Sequence, residues 1–584
     1  MKQLLVVVSL SISMLLSACN LPPQVTPTAL PTETPKQTQQ KTNTPTPTPE
    51  PSATPQVFEM VPVDPVIGIP QGTDGLPWWN DSVFYEIFVR SFYDSNGDGN
   101  GDLNGITQKL DYLNDGDPNT QDDLGITGIW LMPIHNSPSY HGYNAIDHYE
   151  VNPDYGTLDD LKNLVNEAHV RNMRVILDLV LDITSSENPW FVSGINPASP
   201  YHNWYIWSDV DPGYLGSWGQ QVWFPLNGKY FYSAFSAYSP DLNYLNPDVR
   251  AEAFNIAKYW LEETGIDGFR LDAAKHLIEE GTNQVNTDST HQFWKEFRVW
   301  YKSINPQAMT VGEIWEDTPI MAKYLQGDEF DLSFEFYLAE LTIQAINAGN
   351  VQQINERLQM AYDLIPNQQF AVFLTNHDQE RVMSRFFDND EKVKAAASIM
   401  LTNPGTPFVY YGEEIGMQGD QIHEWSRRPM QWSGELNSGF STATPWEPLG
   451  PAWYDYNVAE ETGDPDSLLS HYRNLIRIRN EHAALRVGAL SVVDATNPGL
   501  YSILRVSQKE AVLVLVNITG EPISDFFLAK SNSALQQGLY SAAVIMGDGQ
   551  FEAININAIG GFFHHVDGPE IPPYGTVILQ LHRN

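Results

Sequence analysis

Cysteine and positive charge are both scarce in this chain of 584 residues. A single cysteine excludes a disulfide scaffold and any zinc or iron–sulfur site built from cysteines. Lys and Arg number 32 against 72 Asp and Glu, a formal net charge of −40, which argues against nucleic acid or any other partner held by its phosphates. Nothing in the sequence indicates an obligate protein partner. The 42% hydrophobic and 12% aromatic content is enough for several folded domains, and the aromatic supply suits a neutral ligand.

The chain begins with the features of an export signal. The uncharged run from Leu4 to Leu16 has thirteen residues, whereas a membrane-spanning helix needs about 20. Lys2 precedes this run, and the small residues of Leu-Ser-Ala stand directly before Cys19, as at a signal cleavage point. Leu-Ser-Ala-Cys resembles the bacterial lipobox, whose cysteine becomes the lipidated first residue of the mature protein. We therefore expect residues 1–19 to be a lipoprotein signal peptide, lipidated at Cys19, and the protein to be exported and lipid-anchored at the cell surface.

Residues 20–56 are almost wholly Thr, Pro, Gln, Lys and Glu, with a Thr-Pro repeat from Thr44 to Pro49. Such a segment lacks the apolar residues that would offset the entropy of ordering it. A Pro-rich stretch acts as a semi-rigid spacer of about 3.1 Å per residue. We interpret it as a linker between the anchor and the folded part of the chain.

From Trp78 onward, short apolar runs alternate with helical patterns. Thr157 is expected to begin one helix, and Asn246-Pro247 to begin another that ends at Gly265. Eight strands joined by helices favour an α/β fold, a closed parallel (β/α)8 TIM barrel over residues 77–487. The long connection 183–240 predicts a lobe inserted after strand 3, and the strand-like runs of 488–584 predict a C-terminal antiparallel β-sandwich. The candidate strands are 83–89, 128–132, 174–181, 268–272, 310–314, 330–332, 370–375 and 408–411.

Four carboxylates stand at the ends of candidate strands: Asp178, Asp272, Glu313 and Asp378. Barrel enzymes place their chemistry at this edge. Paired carboxylates suit cleavage of a glycosidic bond, because one must be ionised to attack the sugar while the other holds a proton for the leaving oxygen. Arg270, two residues before Asp272 on the same strand face, should keep Asp272 charged as the nucleophile. Glu313, beside apolar neighbours, suits the acid/base.

At these residues the sequence resembles the α-amylase family of glycoside hydrolases (family 13 type). The matching motifs occur in the family's order and span nearly all of residues 78–490. They are Ser139–Tyr143 (SYHGY), Pro240–Asn243 (PDLN), Gly268–His276 (GFRLDAAKH), Gly312–Trp315 (GEIW), Phe373–Asp378 (FLTNHD) and Gly405–Met417 (GTPFVYYGEEIGM).

The resemblance implies a retaining mechanism on α-glucosidic bonds, with Asp272 as nucleophile, Glu313 as acid/base and Asp378 as the stabiliser of the distorted sugar. It also implies the contacts to the substrate. Arg270 and His377 would bind the reacting glucose, Tyr143 would stack on it, and His141 is a further contact. Lys275 and His276 would face the leaving side.

One motif departs from the family pattern. The segment that usually ends in Asn-His ends here in Asp182-Ile183. The usual histidine donates a hydrogen bond to the reacting glucose, which Ile183 cannot do, and the usual asparagine is a calcium ligand in many α-amylases. We expect weaker glucose binding, or compensation by a neighbouring side chain, without loss of the chemistry.

A second oxygen-rich segment follows the first strand. Oxygen-bearing residues alternate with mostly glycine spacers, as in the first nine positions of an EF-hand loop. Position twelve is Gly105 in place of glutamate, so the EF-hand is incomplete. Similar loops in oligo-1,6-glucosidase-like members of the family bind calcium. The predicted structural Ca²⁺ ligands are Asp94, Asn96, Asp98, Asn100 through its carbonyl, and Asp102.

The preferred function is that of an extracellular α-amylase cleaving α-1,4 bonds of starch or maltodextrin. The segments 428–432 and 437–446 also resemble oligo-glucosidases and trehalose synthases, so an exo-acting α-glucosidase or a glucanotransferase stays open. A starch-binding lipoprotein without catalysis is a further alternative, supported only by Ile183. An acidic mouth that binds a cation rather than sugar is less favoured, because aromatic residues surround it.

Overall fold

The computed structural model describes residues 72–420 and 423–584, which belong to one unit of the chain. The predicted signal peptide, the lipidation site at Cys19 and the linker at 20–56 lie outside the described residues. Within them, no helix combines the length and the apolar composition needed to cross a membrane.

Eight parallel strands form the central sheet, in the order β6-β5-β4-β3-β2-β1-β8-β7. A parallel bridge between Phe334 and Ala371 joins its two edges, so the sheet is a barrel. The predicted fold class is therefore confirmed. The strands are β1 (Phe84–Ile87), β2 (Gly128–Leu131), β3 (Arg174–Leu179), β4 (Gly268–Leu271), β5 (Met309–Gly312), β6 (Leu332–Ser333), β7 (Ala371–Val372) and β8 (Thr406–Tyr410).

Helices surround this barrel. The helix predicted to begin at Thr157 does so, and the helix predicted from Asn246-Pro247 to Gly265 has both of its predicted ends. Thr157 accepts the backbone N–H of Asp160, whose side chain bonds back to the backbone of Thr157, so a capping box begins the helix. Asn246 caps the next helix, and Gly265 ends it at φ 73°, where glycine carries no steric cost. The α-helices are Val89–Phe92, Leu103–Gln108, Leu110–Leu113, Leu158–Val170, Pro189–Gly194, Pro247–Thr264, Asp288–Ile304, Thr318–Met321, Phe336–Ala348, Gln352–Leu364, Val382–Arg385, Asp390–Thr402, His423–Ser426, Val458–Thr462, Leu468–Glu481 and Ala483–Val487.

The long connection after β3 carries secondary structure of its own. It contains the helix Pro189–Gly194 and a three-stranded antiparallel sheet of Trp207–Ser208, Lys229–Tyr232 and Trp223–Leu226. Ile183 pairs with Asp241 at its base. We call residues 183–240 the lobe. A short hairpin of His135–Asn136 and Asp147–Val151 follows β2.

The C-terminal region is antiparallel. The central strands of its six-stranded sheet, Leu500–Val506 and Ala511–Asn517, are buried on both faces, and side chains alternate between those faces along each strand. In Ala511–Asn517, for example, Val512 and Val514 pack with the barrel's helices, while Leu513 and Leu515 face the three-stranded sheet. The six strands, in sheet order, are Ala489–Val492, Leu500–Val506, Ala511–Asn517, Thr576–Arg583, Gly538–Met546 and Ile554–Ile556, and the three are Asp494–Ala495, Phe526–Lys530 and Phe562–Val566.

Candidate active site at the barrel mouth

The side chains that point into the barrel change character along each strand. Phe84, Trp130 and Ile176 fill its lower part. Two residues further along β1 and β3, the inward positions are Glu86 and Asp178, both buried. Because side chains on one face of a strand recur every two residues, this alternation places acidic groups at the carboxyl end of the barrel, above an apolar floor.

Arg270 on β4 is the centre of this layer and is itself buried. Its Nη1 lies 2.9 Å from Asp178 Oδ1 and 2.5 Å from Asp272 Oδ1, and its Nη2 lies 2.5 Å from Glu313 Oε2. The backbone N–H of Ala273 also donates to Glu313 Oε2, at 3.2 Å. One guanidinium thus holds the side chains of Asp272 and Glu313 on the same side of the fold, facing the mouth.

Asp378 enters the same mouth through His377. His377 Nε2 lies 3.2 Å from Asp378 Oδ2 and 2.7 Å from the hydroxyl of Tyr143, and its Nδ1 lies 2.5 Å from Glu86 Oε1. The hydroxyl of Tyr143 donates to Asp178 Oδ2 at 3.1 Å. This chain of bonds connects Asp378 to the carboxylate that Arg270 binds, so the three predicted catalytic acids belong to one hydrogen-bonded network.

The charges in this network set the protonation of its members in different directions. Burial alone would raise the pKa of Asp378, but His377 and Arg427, whose Nη2 lies 2.8 Å from Asp378 Oδ1, hold it well below its usual range. Burial alone would lower the pKa of His377, but Asp378 and Glu86 raise it to about 9. Asp378 is therefore ionised and His377 cationic at neutral pH.

Asp272 departs from the expectation that Arg270 governs its charge. Burial raises the pKa of Asp272 well above its usual value, Arg270 opposes the rise, and the charges of Glu313 and Asp182 add to it. The physical reason is that one guanidinium faces three carboxylates. A site with more carboxylates than cations retains protons, which is the condition for an acid and a base to coexist in it.

Three more of the predicted substrate contacts lie at the mouth. His141 Nδ1 accepts the N–H of Tyr143 at 3.2 Å, and burial together with Arg427 lowers the pKa of His141 to about 4. Lys275 Nζ donates to the carbonyl of Trp315 at 2.8 Å. His276 lies in the short helical turn Ala274–His276 after Asp272, and burial lowers its pKa to about 3. Both histidines are therefore neutral at neutral pH.

Asp182 and Ile183, which break the family pattern, are both buried. Neither carboxylate oxygen of Asp182 has a hydrogen-bond partner among residues 72–420 and 423–584, and burial raises the pKa of Asp182 to about 7. Burial raises the pKa of Asp241 and of Glu279; the charges of Glu279 and Asp182 add to the rise at Asp241, and the charge of Asp182 adds to the rise at Glu279. The region under the lobe thus concentrates carboxylates where Ile183 can donate no hydrogen bond.

The predicted calcium loop is folded by its own hydrogen bonds. Asp94 accepts the backbone N–H groups of Gly97 and Gly99 at 2.7 and 2.8 Å, and Asp102 accepts that of Gly105 at 2.7 Å. Asn96 and Asp98 accept the N–H two residues further on. Asn100 Oδ1 accepts from Arg90 at 2.5 Å, so its side chain is engaged.

Hydrogen bonds of this kind already satisfy the two most buried carboxylates of the loop. Across residues 72–420 and 423–584, no group of three or more His, Cys, Asp or Glu side chains is arranged to hold a metal ion. Calcium at this loop stays a prediction, and no reaction step depends on it.

Sequence reasoning missed Glu86 and Arg427, the two charged partners that fix His377 and Asp378. Glu86 lies in the first strand, where the alternation of inward side chains would have placed it at the mouth. Arg427 stands directly before the segment 428–432 that drew attention for another reason. Its role depends on a contact between residues 49 positions apart, which no local pattern indicates.

Comparison with known proteins agrees with this geometry. The model of the α-amylase catalytic domain matches residues 86–488. Alpha-amylase 3 of Dictyoglomus thermophilum is 39% identical over 447 residues, covering 76% of this chain and 85% of the relative. The trehalose synthase/amylase of Mycolicibacterium smegmatis is 33% identical over 76% of this chain and 85% of its own length. The oligo-1,6-glucosidase of Heyndrickxia coagulans is 32% identical over 76% of this chain and 93% of its own.

Among solved structures, the α-amylase from H. orenii superposes with a TM-score of 0.74 at 38% identity, over 86% of this chain and 99% of that one. The family match covers the barrel and all the motifs whose side chains meet at the mouth. This chain belongs to the α-amylase family of glycoside hydrolases.

Proposed function

We propose that this protein is a retaining glycosidase that cleaves α-1,4-glucosidic bonds of starch or maltodextrin, with Asp272 as nucleophile and Glu313 as acid/base. One observation carries the proposal. The two carboxylates are bound to the two terminal nitrogens of the same buried guanidinium, Arg270, at 2.5 Å each. A retaining enzyme needs two carboxyl groups about 5–5.5 Å apart across the anomeric carbon, and a shared guanidinium is a fixed frame for such a pair.

The reaction would proceed in two displacements. Asp272 attacks the anomeric carbon while Glu313 gives its proton to the leaving glycosidic oxygen, so the bond to the leaving sugar breaks and a glucosyl ester forms. Glu313, now ionised, takes a proton from water, which attacks the same carbon and releases Asp272.

Asp378 is proposed to stabilise the distorted sugar. It is ionised because His377 and Arg427 pair with it, and it therefore faces the developing positive charge of the transition state as an anion. Tyr143, whose ring is stacked 5.6 Å from that of His377, offers an aromatic face to the reacting glucose. His377 and Arg270 are the proposed hydrogen-bond donors to the reacting glucose, and Ile183 adds none.

Which α-glucosidic bond is cut is the finer part of the proposal. The first relative reported above is called an α-amylase, and the α-amylase from H. orenii is nearly as similar, which supports action on α-1,4 bonds. The second candidate is an exo-acting α-glucosidase or a glucanotransferase, which the resemblance to an oligo-1,6-glucosidase and a trehalose synthase/amylase favours. A non-catalytic starch binder is least favoured, because a protein that only binds starch does not need two carboxylates held by one buried arginine.

A time course of products from maltoheptaose tests the proposal. The wild type is expected to release several shorter maltooligosaccharides at early times, whereas glucose as the sole early product would favour the exo-acting candidate. Asp272→Asn and Glu313→Gln should each lower the release of reducing sugar at least about 10³-fold. Asp248→Asn, an exposed acid at the start of a helix, is the matched control. Unchanged activity in Asp272→Asn would contradict the proposed nucleophile.

Export and lipid anchoring at Cys19 are proposed on the sequence alone. Radiolabelled palmitate should enter the protein in a bacterial host and should be lost with Cys19→Ser, and the wild type should partition with membranes while the variant does not. Secreted but unlabelled wild-type protein would contradict the lipidation and leave export standing.

A structural calcium ion at the loop from Asp94 to Asp102 is likewise proposed on the sequence pattern. Chelator should lower the thermal unfolding midpoint by several degrees, and added Ca²⁺ should restore it, because a ligand that binds only the folded state stabilises it. Asp98→Ala, which removes one oxygen ligand, should abolish the response. A midpoint that is insensitive to chelator in the wild type would contradict the calcium site.

A further inference from the structure

The three-stranded sheet of the C-terminal region has one face in the core and one face turned outward. Its inward residues, which include Phe526, Leu528 and Val566, pack against the six-stranded sheet. Side chains alternate between the two faces of a strand, so the residues between these point outward. The outward residues of Phe526–Lys530 and Phe562–Val566 are Phe527, Ala529, Phe563 and His565. A face of this kind usually carries polar side chains, and two phenylalanines on it require a reason.

Three of these outward rings form one stack. The ring of Phe527 lies 5.0 Å from that of Phe563, with 23° between the planes, and 4.4 Å from that of His565, with 13° between the planes. Thr496 holds the backbone of Phe527 in place. Its Oγ1 accepts the Phe527 N–H at 3.0 Å, and its own N–H donates to the Phe527 carbonyl at 3.1 Å. We call Phe527, Phe563 and His565 the ring stack.

The ring stack is open to solvent at Phe563. Phe563 is 73% exposed, whereas Phe527 is half-buried. An exposed phenylalanine by itself is ordinary. One that is held in a fixed array offers a ring face whose orientation is set before a ligand arrives, so binding costs it little conformational entropy.

Polar groups border the ring stack on the same outward face. Asp525 Oδ1 lies 2.6 Å from His565 Nε2. On the third strand of the sheet, Ala495 packs inward, so the exposed Asp494 before it faces outward. An apolar ring face with hydrogen-bond acceptors at its edge is the composition of a site for a small polar ligand that also has an apolar face.

The size and charge of this surface favour a neutral sugar over a protein or an anion. An aromatic side chain covers about 150–250 Å² when it is buried, so two phenylalanines offer at most about 500 Å². A stable protein interface takes about 800 Å² from each partner. The net charge of −40 and the carboxylates of Asp494 and Asp525 disfavour an anionic ligand. A pyranose has C–H groups for the ring and hydroxyls that can donate to these carboxylates.

The ring stack is separated from the barrel by the six-stranded sheet. In the strand Ala511–Asn517 of that sheet, Val512 and Val514 pack with the barrel's helices, and Leu513 and Leu515 face the three-stranded sheet. The outward face of the three-stranded sheet is therefore turned away from the barrel. A sugar bound there is not the one that reacts at Asp272.

We propose that the ring stack binds a glucose unit of an α-glucan chain, which stacks on Phe563, and so holds the polymer on the protein at a distance from the mouth. The choice of an α-glucan as ligand rests on the proposed glycosidase function. A polymer held at one site has a raised effective concentration at the other. The ring stack should therefore assist the cleavage of long or insoluble glucans and leave the cleavage of short ones unchanged.

The first test compares starch granules with maltotetraose as substrates. In Phe563→Ala, the initial rate on granules at low loading is expected to fall about fivefold, the size of one lost aromatic contact. The value of kcat/KM for maltotetraose should stay within about 1.5-fold of the wild type. Phe563→Tyr, which keeps the ring, should behave as the wild type with both. Leu539→Ala is the matched control, because Leu539 is a half-exposed apolar residue of the six-stranded sheet.

The second test measures adsorption to starch granules and to cellulose in the cold. It uses full-length protein carrying Asp272→Asn, so that the granules stay intact. Adding Phe563→Ala should lower the association constant for starch about fivefold, and adding Leu539→Ala should not change it. Cellulose should bind all of these proteins weakly and equally.

Equal losses on granules and on maltotetraose would overturn the inference, since they would assign Phe563 a merely structural role. Starch adsorption that does not depend on Phe563, or cellulose adsorption that depends on it equally, would overturn the α-glucan assignment. A wild-type dimer that Phe563→Ala dissociates in light scattering would assign the ring stack to a second copy of the chain and overturn it too. Failure of the proposed function is distinguishable, because the wild type would then cleave neither substrate while adsorption to starch still depended on Phe563.

Discussion

The two sides of the barrel mouth differ in how their polar groups are satisfied. On the side of Asp378, opposite charges are paired at short distances through His377, Glu86 and Arg427. On the side of His276, buried polar atoms of Asp182, Glu279 and His276 itself have no hydrogen-bond partners among the described residues. The charged groups of the first side are paired in the free protein, and the second side has unused hydrogen-bonding capacity.

This difference matches the two tasks of a glycosidase. Stabilising a transition state requires charges that are already in position when the bond breaks, because reorganisation at that moment costs rate. Accommodating different leaving groups and acceptors requires a surface that binds less tightly. The paired side therefore suits the glucose that reacts in every cycle, and the side of His276 suits the sugar that changes.

Arg270→Lys should have the largest effect, because Arg270 connects the two sides. A lysine ammonium lacks the planar fork that reaches three carboxylates at once. We expect kcat to fall about 100-fold or more, the loss typical of a removed transition-state donor. The matched control is Arg505→Lys, at an arginine that is equally buried but donates to carbonyls of Thr402 and Gly488 and to a glutamine side chain.

The control should lower stability and leave kcat within about twofold of the wild type, since Arg505 touches none of the mouth's acids. A similar fall of kcat in both variants, measured on maltoheptaose with thermal unfolding as the companion experiment, would show that general loosening of the fold explains the result. The proposal that Arg270 holds Asp272 and Glu313 in position for catalysis would then be wrong.

Glu86→Gln should have an intermediate effect, and it depends on pH. Burial alone would lower the pKa of His377, but Asp378 and Glu86 raise it to about 9, above the ordinary value of about 6.5. The stabilisation from these ion pairs is therefore complete below about pH 6.5 and is lost as the pH rises through about 9. We expect Glu86→Gln to lower the free energy of unfolding by about 3 kcal/mol at pH 6, and by much less at pH 10.

Chemical denaturation at pH 6, 8 and 10 measures this difference. Glu356→Gln, at an exposed helix position, controls for the loss of one negative charge and should show no such trend. A deficit of Glu86→Gln that stays constant from pH 6 to pH 10 would contradict the assignment to His377.

The meeting of the three predicted catalytic acids at one edge was predictable from sequence, for a physical reason, although the partners Glu86 and Arg427 were not. Asp272, Glu313 and Asp378 follow strands of one parallel barrel, so topology alone brings them to one edge. The strand bounds were less predictable, and β7 is the clearest case, since it covers only Ala371–Val372 of the predicted 370–375.

The side of His276 was not predictable from the same signals. Trp218 and Phe235 stand in a lobe without regular periodicity, and their approach to His276 depends on how the lobe folds back on the barrel. The surroundings of Asp272 were predicted only in part, because a sequence shows the nearest cation, Arg270, but not how many other carboxylates share it. Burial and shared partners are properties of the assembled fold, and they decide protonation here.

Asp182→Asn should have the smallest effect and would sharpen the comparison most directly, because it neutralises an unpaired acid on the side of His276. Burial raises the pKa of Asp182 to about 7, so the folded protein holds a proton there that the unfolded chain releases above about pH 4. This difference destabilises the fold increasingly between about pH 4 and pH 7 and by a constant amount above. In chelator-treated protein, Asp182→Asn should therefore match the wild type near pH 4 and be more stable than the wild type at pH 8. The fall of kcat/KM at acid pH should also shift to lower pH in this variant, since the charge of Asp182 contributes to the raised pKa of Asp272. A less stable variant at pH 8 would mean that Asp182 has a partner in solution, and the contrast between a paired and an unpaired side of the mouth would fail at its most buried acid.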